Sequence, residues 1–539
     1  MTEFSHRSID PFFYWKSQRN NDHATFELYF RKNPFKGEYT IFGGLSEALK
    51  FLKNFKITDQ DLKYLKKLMP DSEDEFFEYL KNLTTVGLKI EALPEGSICF
   101  PRVPLLIIHG PLPLVQIIET PLLNLINFSS LVATNASRMR FAAGDKVSLL
   151  EFGLRRAQGP NGGMTASKYS VIGGFDGTSN VLAGKLYNLP VKGTHSHSYV
   201  NSFTTLEENH NDPIYLVKNK NEKIDILNNA RLYRKDIIEI LNQQKVNIAK
   251  TPKDSELIAF CHYAATFPES CLCLIDTYDT LGSGLINFMS VSAVLISAGY
   301  KPIGLRLDSG DLSYLSIKIR EIFQILEKAD PEKFHNFSKL KITASNSINE
   351  ATLYALKEQG HEIDAFGIGT HLVTCQAQPA LGCVYKLTEL NGHARMKLTE
   401  EISKITIPGK KAAYRIFNKN DQPLVDVMTL ASEEPPKVGE NYLIRHPFVE
   451  SKRAYVCPSR VEKLHSIVFE DFKIVGENLE KELDDYRIAQ ERCRDGLKSM
   501  RRDHLRAVQP TPYKVSLSSK MYAFLHEEWM KNAPIGLIN

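Results

Sequence analysis

This 539-residue sequence lacks a basic tract: 67 lysines and arginines face 63 aspartates and glutamates, a net charge of +4. A duplex-binding protein meets the phosphate backbone with a basic tract, and none is present, so nucleic acid is not an expected partner. A small anion needs only a local group of arginines. The 8 cysteines include no CxxC pair. Cys271 and Cys273 sit two apart in the apolar run Cys271-Leu272-Cys273-Leu274-Ile275, where such residues share one strand face, and the others are scattered. Buried reduced thiols are expected, and no metal site. The opening residues, Met1-Thr2-Glu3-Phe4-Ser5-His6-Arg7, lack the apolar core of a signal peptide, so a cytoplasmic protein is expected. One segment, 280–300, is uncharged and long enough to cross a bilayer. It is rich in Gly, Ser and Asn, and a strand-like run follows at Pro302. A helix buried on a sheet explains it better than a membrane span.

What is present is ordinary globular material: 43% hydrophobic and 24% charged residues exclude a disordered or low-complexity chain. The length exceeds one compact core and suggests ~3–4 domain-sized units. Residues 1–120 read as an α+β segment, with a half-buried strand at 25–30, an amphipathic helix at 45–55 and proline-broken strands across 98–109. After a long helix near 121–138, one order repeats: apolar strand, polar or glycine-rich loop, helix. Strands are expected at 147–152, 190–193, 271–275, 302–307, 341–344 and 365–368. Helices are expected near 164–172, 179–186, 286–298, 312–326 and 349–359. Apolar runs without alternation mark strands covered on both faces, the signature of a parallel sheet. Both a closed barrel and a doubly wound sheet satisfy this rhythm. Polar residues recur at almost every strand end, which favours a TIM-like α/β barrel over 121–390. Residues 391–539 read as strands at 397–399, 405–411 and 413–417, then a solvated helix over 477–506, packing with the N-terminal segment.

The chemistry-bearing residues cluster at those strand ends, between Glu151 and Thr370. Arg155 and Arg156 precede the glycine-rich Gly159-Pro160-Asn161-Gly162-Gly163. Guanidinium forks match carboxylate or phosphate, each such contact contributing ~1.5–3 kcal/mol net. In Gly193-Thr194-His195-Ser196-His197-Ser198, the two histidines share a face if the strand continues, which suits a metal; on a loop, one imidazole can act alone as base, nucleophile or phosphate acceptor. Arg306 and Asp308 alternate on one face of a strand, and Asp276 and Asp311 complete a ring. An arginine inside an apolar strand requires either a structural partner such as Asp308 or a bound anion. Gly367-Ile368-Gly369-Thr370 opens a loop of backbone N–H groups suited to phosphate.

Taken in order, these segments resemble the nicotinate phosphoribosyltransferase family. The resemblance runs through Leu154-Arg155-Arg156-Ala157-Gln158-Gly159, Gly173-Gly174-Phe175-Asp176, Gly193-Thr194-His195-Ser196-His197-Ser198-Tyr199 and Leu274-Ile275-Asp276-Thr277-Tyr278. It continues through Arg306-Leu307-Asp308-Ser309-Gly310-Asp311, Gly367-Ile368-Gly369-Thr370 and Leu381-Gly382-Cys383-Val384-Tyr385-Lys386, and covers about 26–427. It implies an irregular TIM-like α/β barrel, a second α+β domain built from N- and C-terminal segments, and a homodimer. The implied reaction joins nicotinate to phosphoribosyl pyrophosphate, coupled to ATP hydrolysis, with Mg2+ or Mn2+ present. By matching motif, His197 resembles the histidine phosphorylated by ATP, and Asp276 the acid beside ribose. Arg306 and Thr194 resemble nicotinate contacts, with Arg155, Ser198 and Asp308 in the substrate site. Gly369 and Thr370 resemble contacts to the 5′-phosphate, and His195 receives no role.

Residue chemistry agrees with those roles. Displacing pyrophosphate from an anomeric carbon builds oxocarbenium character that an acid such as Asp276 stabilises. The leaving polyanion needs arginines and a cation, and nicotinate's carboxylate accounts for an arginine in an apolar strand. The sequence departs from the family at two places. The tyrosine that stacks on the pyridine ring falls near His6, where none is present, and Ser345-Asn346-Ser347 replaces a more acidic or amide-rich loop. A paralogue that binds nucleotide without turnover and a metal-dependent barrel amidohydrolase are the alternative readings. The second needs histidines at later strand ends, where Asp, Asn and Gly stand instead.

Overall fold

The computed structural model describes residues 10–203, 213–218 and 222–533. His6 lies outside the described residues. Two compact units account for the chain. One comprises Met1–Ser137, Lys168–Gly174 and Cys375–Asn539, the other Arg138–Ser167 and Phe175–Thr374. The expected divisions at 120/121 and 390/391 thus stand against 137/138 and 374/375. The difference at the second has a plain cause: Cys383–Leu390 pairs antiparallel with His23–Phe30 along the whole of that strand, drawing it into the unit of the chain ends.

Among the described residues that first unit holds three sheets, the smallest pairing Thr40–Ile41 with Ile98–Cys99. A seven-stranded sheet runs His393–Ala394, Cys383–Leu390, His23–Phe30, Leu106–Pro111, Lys89–Ala92, Ser466–Glu470 and Lys473–Ile474, so strands from both ends of the chain share one ladder. His23–Phe30 was expected to be half-buried, yet from Ala24 onward every residue is buried. A six-stranded sheet centres on Lys411–Phe417, Pro423–Leu430 and Lys514–Ser518. Residues 397–399 and 405–410, expected to be strands, are not; only a 3-10 turn, Ile402–Lys404, falls between them. The long terminal helix is two helices, Leu479–Asp484 and Tyr486–Ser499, because Asp485 caps the second by accepting from the Arg487 amide.

The second unit is built on six parallel strands in the order Leu272–Leu274, Gly304–Leu307, Lys341–Ser345, Ala365–Ile368, Ser148–Glu151 and Gly177–Thr178. Five of these strands are apolar runs singled out in the sequence; the sixth, Gly177–Thr178, is not. Their burial on both faces is visible in Leu272–Leu274 and Lys341–Ser345, where every residue but Lys341 is buried. Among the described residues its backbone ladder is open between Leu272–Leu274 and Gly177–Thr178. The missing strand is the one expected at 190–193. Pro190 has no amide hydrogen, and this segment makes a single parallel bridge, Val191 to Thr178, instead of a ladder.

Helices cover the strands. The uncharged segment is the π turn Thr280–Gly284 followed by the helix Leu285–Ser297, 83% of whose membrane-length window is buried. It packs against the helices Ile226–Gln243 and Asp254–Thr266. Being hydrophobic all round, it is a core helix of this unit. The glycine-rich Gly159-Pro160-Asn161-Gly162-Gly163, expected as a loop, is the first turn of the helix Gly159–Ile172. Proline's fixed φ and missing amide hydrogen suit that first turn.

Candidate active site

Arg306 and Asp308 emerge from the strand Gly304–Leu307 on one face, because Leu305 and Leu307 take the other and are fully buried. The Arg306 Nε donates to Ser345 Oγ at 2.9 Å, and its guanidinium lies 3.2 Å from the Asp308 carboxylate. Ser345 in turn donates to Asp308 at 2.6 Å. The guanidinium also stands over the Phe152 ring, 5.7 Å from its centroid. Phe152 keeps that place because residue 367 is glycine: a Cβ there would meet the ring at 2.4 Å. Neither Phe152 nor Ser345 was assigned a role from sequence; each immediately follows or ends an expected strand.

Asp276, at the end of the neighbouring strand, has a side chain only 1% exposed. One carboxylate oxygen, Oδ2, accepts from the Asp308 amide at 3.0 Å and from Ser309 Oγ at 2.5 Å. The other, Oδ1, is buried without a hydrogen-bond partner and faces His197 Nε2 at 3.9 Å. Leaving such an acceptor unsatisfied costs about 1–3 kcal/mol, so the atom is ready to receive a donor. His197 opens the short helix His197–Asn201 and is 41% exposed, with Nε2 also 3.5 Å from Asp308 and Nδ1 3.3 Å from Thr277 Oγ1. One imidazole therefore stands between two carboxylates with a side open to solvent. The left-handed Gly310, φ 79°, turns the chain after Ser309. Asp311, expected in the ring, instead caps the helix Leu312–Ala329 by accepting from the Tyr314 amide at 3.0 Å.

The remaining candidates divide. Thr194 donates to the Leu272 carbonyl at 2.8 Å, and Ser198 pairs with Ser196 at 2.7 Å. His195 is a half-buried ring whose Nε2 accepts from the Leu274 amide at 3.1 Å. Burial pushes its pKa down to about 4, the Ser196 carbonyl opposing this. Arg155 and Arg156 are exposed on the 3-10 turn Leu154–Arg156, with Arg156 3.4 Å from Thr370 Oγ1. Gly369 precedes not an open loop but the short helix Thr370–Val373. Glu151, at the end of its own strand, is wholly buried and taken up structurally by the Gly153 amide, Ser167 and Thr178. The departing loop after Ser345 places Asn346 and Ser347 at φ 121° and 50°, two successive non-glycine residues in a costly region beside the site.

An imidazole, two carboxylates and a guanidinium gathered at the carboxyl ends of parallel strands define an α/β enzyme acting on a small anionic substrate. The family model described as "Nicotinate phosphoribosyltransferase (NAPRTase) family" matches residues 147–422, and those for the N-terminal and C-terminal domains match 12–127 and 410–525. Nicotinate phosphoribosyltransferase 2 of Arabidopsis thaliana is 49% identical over 97% of this chain and 93% of its own length. The Caenorhabditis elegans nicotinate phosphoribosyltransferase is 50% identical over 97% and 92%. The crystal structure of human nicotinic acid phosphoribosyltransferase superposes with a TM-score of 0.85 at 36% identity, covering 97% of this chain and 99% of that one. The chain belongs to the nicotinate phosphoribosyltransferase family.

Proposed function

We propose that the chain joins nicotinate to the ribose of phosphoribosyl pyrophosphate, releasing pyrophosphate and forming nicotinate mononucleotide, with ATP hydrolysis through His197 coupled to the transfer. One observation carries this reading: in a chain of this family, Arg306, Asp276, Asp308 and His197 converge at adjoining strand ends.

Each residue has a task that its surroundings support. Arg306 contacts Asp308 through one guanidinium nitrogen, which leaves fork positions for the nicotinate carboxylate, and the Phe152 face stands beside it. Thr194 has spent its hydroxyl proton on Leu272, so toward nicotinate it offers lone pairs. Arg155 and Ser198 complete that end. The nicotinate ring nitrogen attacks the anomeric carbon as the bond to pyrophosphate breaks, and the electron pair leaves on pyrophosphate. Positive charge builds on the ribose, and the unpartnered Asp276 oxygen meets either that charge or a ribose hydroxyl. Gly369 and Thr370, with Arg156 at hand, hold the 5′-phosphate. For coupling, the His197 imidazole takes the γ-phosphoryl group of ATP as ADP departs, and water then releases phosphate.

Mg2+ or Mn2+ fits this donor set in one manner. Among the described residues no cluster of three or more His, Cys, Asp or Glu is suited to hold a metal, yet Asp276 and Asp308 present hard oxygens side by side. Such a pair suits an ion that keeps its waters and enters with substrate phosphates. When bound it supplies positive charge against the pyrophosphate.

The open sheet is read here as an irregular barrel, supported by the Val191 bridge to Thr178 on one side and the Thr194 bond to Leu272 on the other. A homodimer is supported by Val181, Leu182 and Leu186, which stand 70%, 54% and 60% exposed on one short helix. All 8 cysteines are free thiols, which supports a cytoplasmic setting.

The test is turnover. Purified protein with nicotinate, phosphoribosyl pyrophosphate, ATP and Mg2+ is expected to form nicotinate mononucleotide, and nicotinamide in place of nicotinate is expected to give none. Ligand binding with no product overturns the reading in favour of a non-catalytic nucleotide-binding paralogue.

A further inference from the structure

Among the described residues the strand Leu272–Leu274 is an edge of the parallel sheet, its backbone paired with Gly304–Leu307 alone. Its free edge exposes the Leu272 carbonyl and the Leu274 amide. In a parallel ladder those two groups are both satisfied by a single residue of the neighbouring strand, whose N–H meets the first and whose C=O meets the second. Here two successive side chains take that residue's part. Thr194 Oγ1 donates to the Leu272 carbonyl at 2.8 Å, and His195 Nε2 accepts from the Leu274 amide at 3.1 Å.

The imidazole is built for accepting. With Nε2 receiving a proton donor, the ring hydrogen is on Nδ1, which faces the Ser196 carbonyl at 3.4 Å. Tyr263, Tyr199 and Phe260 surround the ring with centroids 4.8, 5.3 and 5.8 Å away. Partial burial lowers its pKa to about 4, so the lone pair persists at neutral pH. Two residues on, His197 has no short hydrogen bond to hold it: its contacts are 3.3, 3.5 and 3.9 Å. Its place between Asp276 and Asp308 is therefore set by the backbone that Thr194 and His195 anchor.

We propose that His195 is a positioning residue: with Thr194 it substitutes for a backbone pairing on the free edge of Leu272–Leu274, and so fixes where His197 stands against Asp276 and Asp308. This rests on the reading of His197 as the phosphate acceptor. The part is played through another residue, since nothing places His195 against substrate.

Three substitutions test it. His195→Leu removes the acceptor at similar bulk, His195→Asn keeps polarity but stops short of the Leu274 amide, and His195→Gln carries a carbonyl of comparable reach. Steady-state kinetics, ADP formed per nicotinate mononucleotide, and hydrogen exchange at the Leu274 amide are measured on each full-length chain. The leucine variant is expected to lose roughly tenfold to a hundredfold in kcat, the range for a misplaced reacting group. KM for nicotinate should change little, ATP coupling should fall with kcat, and Leu274 should exchange faster. The glutamine variant should recover most of all three, and the asparagine variant should follow leucine. Should leucine prevent folding, the asparagine–glutamine pair carries the comparison. Wild-type coupling in the leucine or asparagine variant overturns the proposal, as does equal impairment of asparagine and glutamine with Leu274 exchange unchanged. A wild-type chain that forms no product defeats the functional reading instead, while Leu274 exchange still decides whether His195 holds the strand edge.

Discussion

Two arginine–aspartate pairs, one across two paired strands and one within a single strand and its end, behave differently in the structure. In the unit of the chain ends, Arg415 grips Asp426 with two parallel bonds of 2.8 Å, and Asp426 is wholly buried. Tyr513 donates to the same carboxylate at 3.0 Å, the Ile98 carbonyl takes another guanidinium hydrogen at 2.9 Å, and Phe100 stacks on Tyr513. Both oxygens of the Asp426 carboxylate have partners inside the protein. In the parallel-sheet unit, Arg306 reaches Asp308 through one contact of 3.2 Å, and the neighbouring Asp276 keeps a buried oxygen unpaired. A closed bidentate pair holds a fold together; an incompletely satisfied set of charges at strand ends is what a ligand completes.

The largest effect expected is at the imidazole that has no structural work. His197→Ala should abolish ATP hydrolysis linked to turnover, read as ADP released per nicotinate mononucleotide, and unchanged coupling would remove the phosphohistidine step. Next comes the closed pair. Arg415→Met leaves the buried Asp426 charge uncompensated and should cost about 3–5 kcal/mol, seen as a lower urea midpoint. A midpoint near wild type would mean that the two pairs do not differ as described. Arg306→Gln should do the reverse: stability stays near wild type while KM for nicotinate rises roughly tenfold to a hundredfold, the loss of one charge-assisted contact.

The smallest effect concerns a buried carboxyl behind the site. Glu256 is fully buried, its Oε2 accepting from Ser283 at 2.5 Å and Asn287 at 3.1 Å. Burial raises its pKa to about 7 from the usual 4.5, against the lowering by those hydrogen bonds. The folded state thus holds a proton that the unfolded chain releases earlier. The resulting stabilisation is complete below pH 4.5 and is lost as pH rises through about 7. Glu256→Gln should therefore gain about 2 kcal/mol on wild type between urea titrations at pH 5 and pH 8. Parallel pH dependence in the two proteins would show that Glu256 does not titrate in that range.

Much of the parallel sheet was legible because its strands are covered on both faces and therefore read as unbroken apolar runs. Ala365–Ile368 falls where it was expected, and Asp276 and Asp308 close their strands as anticipated. The residues that complete the site were less visible. Ser345 bonds both Arg306 and Asp308 across strands far apart in the chain, and Phe152 lies beneath Arg306 only because Gly367 leaves room. Asp311 has the same residue type and spacing as a site acid, but a helix begins immediately after it, and its carboxylate turns to the Tyr314 amide. Past 390, the strand-like runs at 397–399 and 405–410 form no strand, since strand formation depends on which neighbour is present to pair.

By itself the sequence determined the family and much of the succession of strand and helix, because hydrophobic period and residue chemistry are local properties. Tertiary structure alone decided that the sheet's backbone ladder stays open, that the edge is bridged by Thr194 and His195 side chains, and that His195 serves the fold while His197 faces solvent. Those outcomes depend on which edge, ring or carbonyl arrives from 60 to 80 residues away in the chain, as Tyr199 to Ala259 and His197 to Thr277 do. A local pattern carries no record of such a neighbour.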